Sequence, residues 1–245
     1  MRKTFLLFLT VVVFASCSKD DSNSNQVDEN CKVTEWRRFT DEGFGFFARG
    51  LNKFYYDEQN RVSKVETYYE NELEVTTNYS YTSNNITANS PHRNIVYTLN
   101  ANNLIESYIT DDYDTTNITY NSSNQISTIS QNRASYTFEY ANGNLIEVTQ
   151  TYTNPQNVRS WTYTYDNSKN FSPLGTFGVY PFSLEFGWSE FESSHILYDQ
   201  GYFGVKIKNA ISTVDGEEYN YVFTDGKVFS YENRDEKFEF KYTCD

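Results

Sequence analysis

The chain has 245 residues, 20 of them basic and 33 acidic, for a net charge of −13. Such an acidic chain repels phosphate backbones and anionic membrane surfaces, which argues against nucleic acid as a partner. Aromatic residues make up 18% of it, with 22 Tyr and 19 Phe against 4 Pro and 1 Met; this composition suits pleated surfaces and predicts an all-β protein.

Arg2 and Lys3 form a short positive region, and Phe5 to Phe14 an apolar run interrupted by Thr10. Ala15 and Ser16 then lead to Cys17. Charge, a short apolar core and a small-residue cleavage site are the layout of a secretory signal. The apolar run has about 10 residues where a membrane-spanning helix needs about 20. Phe14-Ala15-Ser16-Cys17 resembles a bacterial lipobox, with Phe14 where Leu is usual. The resemblance implies a signal peptide over 1–16 and a lipid, palmitate included, on Cys17. Several acyl chains on one residue anchor a protein stably to a membrane. Loss of Arg2 and Lys3 would leave a net charge of −15. Ser18-Lys19-Asp20-Asp21 resembles the surface-export signal of Bacteroidota lipoproteins, which implies a lipid-anchored, surface-exposed place in the outer membrane. Residues 17–30 are polar, bury almost nothing and read as a disordered tether.

A single all-β domain is expected over 31–245. Cys31 and Cys244 lie near its two ends, and export makes a disulfide permissible. A bridge would tie the first strand to the last; two free, partly buried thiols are the alternative.

Between them the sequence repeats itself. Tyr56-Asp57-Glu58-Gln59-Asn60-Arg61-Val62 joins an aromatic strand end, a polar turn and an aliphatic strand start. Tyr120 to Ile126 and Tyr140 to Ile146 copy it, and Tyr165 to Phe171 is looser. Tyr81 to Ile86 and Phe223 to Val228 are shorter by one, and Leu99 replaces the aromatic in another. Asn, Asp and Gly tolerate the left-handed backbone of tight hairpins. Tyr136, Phe138 and Tyr140 alternate with Thr137 and Glu139, as Trp161, Tyr163 and Tyr165 do with Thr162 and Thr164. Period two means one face buried and one solvated. Val62 with Val65, and Ile126 with Ile129, break that parity and predict bulges. Roughly 14 to 18 strands in an antiparallel meander of tandem hairpins would not stay flat, so a strongly curved or partly closed, barrel-like sheet is expected.

Asp111, Asp112 and Asp114 are a dense acidic cluster, read as a solvated turn with calcium as the alternative. The stretch from Phe171 to Gly204 interrupts the repeat with many aromatics. It reads either as a plug covering the apolar face of the sheet or as a binding surface. For the latter, Tyr180, Phe182, Trp188, Tyr198 and Tyr202 are the candidate ligand-binding residues.

The Tyr-Asp turns resemble the YD-repeat family. The chain as a whole, through Cys17, the Tyr56 to Leu145 hairpins, Tyr165-Asp166, Lys208-Asn209-Ala210-Ile211 and the hairpins from Tyr219 to Tyr242, resembles Bacteroidota lipoproteins of unknown function with a porin-like fold. The resemblance implies a curved, barrel-like sheet and brings no catalytic residues. The chain lacks an outward apolar band alternating with a polar lumen, so a transmembrane barrel is not expected.

The histidines, His92 and His195, stand far apart, and no metal-spaced cluster, nucleophile elbow or phosphate loop is present. No catalytic residue, metal or cofactor is expected. The reading preferred is a binding or scaffold lipoprotein for a glycan, small molecule or envelope protein. A purely structural envelope protein and a polysaccharide hydrolase are the alternatives.

Overall fold

The computed structural model describes residues 31–41, 43, 45–110, 115–152, 157–170 and 195–244. Among these, seventeen strands form an antiparallel meander. Its first half is β1 (Cys31–Asp41), β2 (Phe46–Tyr56), β3 (Val62–Tyr69), β4 (Glu72–Tyr81), β5 (Asn85–Ser90) and β6 (Arg93–Leu99). Then come β7 (Ile105–Thr110), β8 (Thr116–Tyr120), β9 (Ile126–Ser130), β10 (Ala134–Ala141), β11 (Asn144–Tyr152) and β12 (Val158–Asn170). Beyond the insertion lie β13 (Asn209–Val214), β14 (Glu217–Glu218), β15 (Asn220–Thr224), β16 (Lys227–Glu232) and β17 (Glu236–Cys244).

Neighbours in sequence are neighbours in the sheet, and β17 returns to pair with β1. The sheet therefore curls into a nearly closed barrel, as the strand count predicts. One seam stays unsealed. β14 pairs with β13, and the Tyr219 N–H still donates to the Ser212 carbonyl at 2.9 Å. Beyond that point β15 pairs with β16, and its ladder with β13 is not made.

The repeat has a physical basis in three parts. The first is the turn. Asp57, Asn100 and Asn121 each accept, through Oδ1, the backbone N–H groups two and four residues on, at 2.9–3.1 Å. Asn60, Asn103 and Asn124 then take a left-handed φ of 57–63°, which a short polar side chain tolerates best. The second is a bulge just after the turn. Tyr55 pairs with Lys64 and Tyr56 with Val62, leaving Ser63 unpaired. Glu106, Ser127, Ile146 and Phe229 are left out in the same way. One extra residue lets positions three apart face the same side. Hence Val62 and Val65, Ile126 and Ile129, and Leu145 and Val148 are all buried, as the broken parity predicts. It also explains why Ile146 and Phe229 are exposed.

The third part, which sequence reasoning missed, is the tyrosine. The hydroxyls of Tyr56, Tyr81, Tyr120, Tyr165 and Tyr242 donate to the carbonyls of Val33, Val62, Ile105, Leu145 and Val228. Each acceptor is the residue before a bulged one. A bulge disrupts the local ladder, and the hydroxyl from the adjacent hairpin satisfies a carbonyl there. The β4–β5 hairpin has no bulge, and the residue in the tyrosine's place on β6 is Leu99. Burial pushes the pKa of all five hydroxyls up, so they stay neutral donors.

The interior is apolar and the exterior mainly polar, with single apolar side chains such as Leu73, Val158 and Phe229 exposed on it. Tyr97, Tyr136, Tyr231, Ile86, Ile105 and Leu145 are among the fully buried side chains, each contributing about 1.5–3 kcal/mol for the aliphatic ones. Outward, Thr149 meets Ser160, Thr164 meets Thr213, and Lys64 and Lys241 pair with Glu66 and Glu35. This is the reverse of a lipid-embedded barrel, whose apolar band faces out.

Candidate functional site

The two ends of the barrel differ. The repeat turns all lie at one end, and residues 195–208 lie across several of them. It begins with a helical turn at 195–199 that carries Ile196, Leu197 and Tyr198 into the interior. Gln200 donates to the Asn60 carbonyl and accepts from Val62 N–H. The Tyr202 carbonyl accepts from Ile105 N–H, Val205 N–H donates to Asn124, and Lys208 N–H to Gly143. Asn144 Oδ1 accepts from the N–H groups of Lys208 and Asn209. The segment thus binds the backbone at four of the repeat turns, those after β2, β6, β8 and β10. Gly204, with φ +87°, lies so close that a Cβ would meet the Asn124 carbonyl at 2.1 Å. The plug reading holds for these described residues.

The plug also places titratable groups in the interior. His195 is buried, its ring 6.2 Å from that of Trp36, and burial pulls its pKa down to about 3. Lys206 donates to the Asp199 carbonyl. Burial lowers the Lys206 pKa, and the Asp199 charge offsets part of that shift.

The residues proposed from sequence divide accordingly. Cys31 and Cys244 are bonded, opposite one another in the β1–β17 ladder with Cα atoms 4.1 Å apart. Tyr198 is 3% exposed and packs inside the barrel, and Tyr202 is half-buried with its ring 6.2 Å from Tyr81. Cys17, Tyr180, Phe182 and Trp188, and the Asp111–Asp112–Asp114 cluster, lie outside the described residues.

The opposite end holds a cavity of about 380 Å³ between β1 and β6, within the range of small-ligand sites. Its floor is Trp36, stacked on Phe238 with ring centroids 5.6 Å apart, together with Ala88 and Ile95. Polar side chains form the wall: Asn52, Thr67, Thr77 and Ser90. Arg38, Arg49, Arg93, His92 and Glu74 form the rim. Arg38 donates through Nε to Glu236 at 2.9 Å, and Arg49 through Nη1 to Glu70 at 3.1 Å, so both guanidinium planes are oriented. Arg49 and Glu74 are themselves bulged residues, and a bulge re-aims its side chain. Asn52 is 3% exposed, and its Oδ1 receives no hydrogen bond from the described residues.

Sequence reasoning missed this site. A signal was present: Arg38 and Arg93 share strand parity with buried Trp36 and Ile95, so they place charge on the face that is otherwise apolar.

Comparison with solved structures finds the same architecture elsewhere. The fold is porin-like. A porin-like protein from Bacteroides uniformis aligns with TM-score 0.64 and 12% identity, over 86% of this chain and 98% of its own. A second, from Bacteroides vulgatus, aligns with TM-score 0.55 and 15% identity over the same shares. At such identity the likeness concerns fold alone. No protein-family model matches the chain, and no curated protein matches it in sequence.

Proposed function

We propose that the chain is an exported, lipid-anchored protein of the cell envelope that holds a small ligand in the mouth of its barrel. Its N-terminal layout supports export and acylation at Cys17. The polar exterior suits a barrel held in water by a tether rather than one embedded in lipid. The cavity carries the binding half of the reading. A largely buried hydrogen-bonding wall around a Trp floor, at the end opposite segment 195–208, is unneeded for closing the barrel and is what a ligand site requires.

Two experiments test it. Labelled palmitate should enter the protein and be lost in Cys17→Ser. In a glycan-array and small-molecule screen, the protein should bind a ligand that Ala88→Trp, which fills the cavity, no longer binds at an unchanged thermal midpoint. Binding equal in both proteins would move the site elsewhere. A screen without any binder would favour the structural reading, which the backbone-sealed plug supports.

A further inference from the structure

We propose that the mouth cavity takes an acidic sugar, a mono- or disaccharide whose ring bears a carboxylate. This rests on the reading of the mouth as the ligand-binding end.

Three observations converge. The first is a donor-rich rim in an acidic protein. The chain carries −13 overall, yet Arg38, Arg49 and Arg93 all line this cavity; Glu74 lines it too, Glu236 pairs with Arg38 and Glu70 with Arg49. Arginine's planar fork matches a carboxylate in two parallel hydrogen bonds. Glu236 and Glu70 fix the planes of Arg38 and Arg49 from the side, so little side-chain freedom is lost when an anion arrives. A ligand carboxylate would thus be recognised at the rim.

The second is the wall. Asn52 Oδ1 is a buried acceptor without a donor among the described residues. An unmade hydrogen bond there costs about 1–3 kcal/mol, which a donor from the ligand would recover. Thr67, Thr77 and Ser90 add hydroxyls on the same side. A fully ionised anion such as acetate brings no donor to Asn52, whereas a sugar hydroxyl does.

The third is the floor. Trp36 offers an aromatic surface below the polar wall, and the C–H face of a sugar ring is apolar. Carboxylate at the rim, hydroxyls at the wall and ring face on the floor is the order of groups on a uronic acid. The volume of about 380 Å³ limits it to a short saccharide.

The test is calorimetric titration of the protein with glucuronate, glucose, acetate and inorganic phosphate. Glucuronate should bind at least about tenfold more tightly than glucose, and acetate and phosphate more weakly than glucuronate. Arg93→Gln should abolish the preference by bringing glucuronate to the level of glucose. Asn52→Ala should weaken both sugars by a similar factor, because both present hydroxyls. Glucose binding as well as glucuronate overturns the acidic-sugar assignment while leaving the mouth as a ligand site. Acetate or phosphate matching glucuronate overturns the sugar part. No heat from any of the four, with other ligands also indifferent to Ala88→Trp, overturns both this inference and the reading it rests on.

Discussion

The two ends of the barrel are built from the same strands by different rules. At the plugged end most hairpins share one recipe: a polar turn, a bulge just after it, and a tyrosine hydroxyl from the following hairpin on the carbonyl before that bulge. Segment 195–208 then takes up turn carbonyls and N–H groups one after another. At the mouth the strands end without a shared recipe, bulges fall at Arg49 and Glu74 on the cavity's edge, and a polar cavity remains. Repetition here marks the end that holds the fold together, and departure from repetition marks the end with chemistry. Substitutions at the plugged end should therefore cost stability and spare binding. Those at the mouth should do the opposite.

The largest stability effect is expected from the disulfide. Cys31→Ser with Cys244→Ser opens a closure spanning 213 residues. The loss should be about 2–5 kcal/mol, below the full loop-entropy value because the β1–β17 ladder persists. Denaturant melts would show it. A loss under about 1 kcal/mol would mean that the ladder alone closes the barrel.

Next comes Gly204→Ala. It strains a left-handed position and drives a Cβ into the Asn124 carbonyl, so the plug must lift. About 3 kcal/mol is expected, with faster amide exchange at Ile105 and Val205, whose N–H groups the plug contacts engage.

His195 gives the pH dependence. Its native pKa is about 3 because of burial, against about 6.5 for an unfolded chain. The unfolded state therefore binds a proton that the native state refuses. Stability should fall by about 1.4 kcal/mol per pH unit as pH drops below 6.5, levelling near pH 3. His195→Phe should remove that slope. Glu66 acts lower: hydrogen bonds from Lys64, Tyr55 and Tyr68 hold its pKa down to about 2, so its share of stability is lost as pH falls from about 4.5 through 2. Glu66→Gln separates the two.

The smallest effect at the plugged end is a single staple. Tyr120→Phe leaves the Ile105 carbonyl without its hydroxyl donor and should cost about 1 kcal/mol. At the mouth, Arg93→Gln should change stability by less than about 0.5 kcal/mol while changing binding.

The fold was legible because its recipe is local. Period-two alternation gave the faces, Asn and Asp the turns, and the Val62–Val65 spacing the bulges. The tyrosine in each repeat was visible as a pattern, but its partner lies in another hairpin, so the hydroxyl's task could not be read along the chain. The cavity was less legible still. Trp36, Asn52, Thr67, Ala88 and Arg93 come from five different strands and meet only through the curvature of the sheet. The aromatic insertion drew attention by composition, yet the rings of Tyr198 and Tyr202 serve packing, since a plug inside an apolar barrel needs aromatic bulk as a binding face does.

Whether the unrepeated end is the one that binds is decided by an amide chemical-shift titration of the protein with glucuronate. Shifts should be confined to mouth residues such as Gly50, Asn52, Thr67, Ala88 and Arg93, with the 57–61 turn and segment 195–208 unmoved. Shifts concentrated in that turn and that segment would contradict it, because the ligand would then sit at the end assigned only to holding the barrel closed.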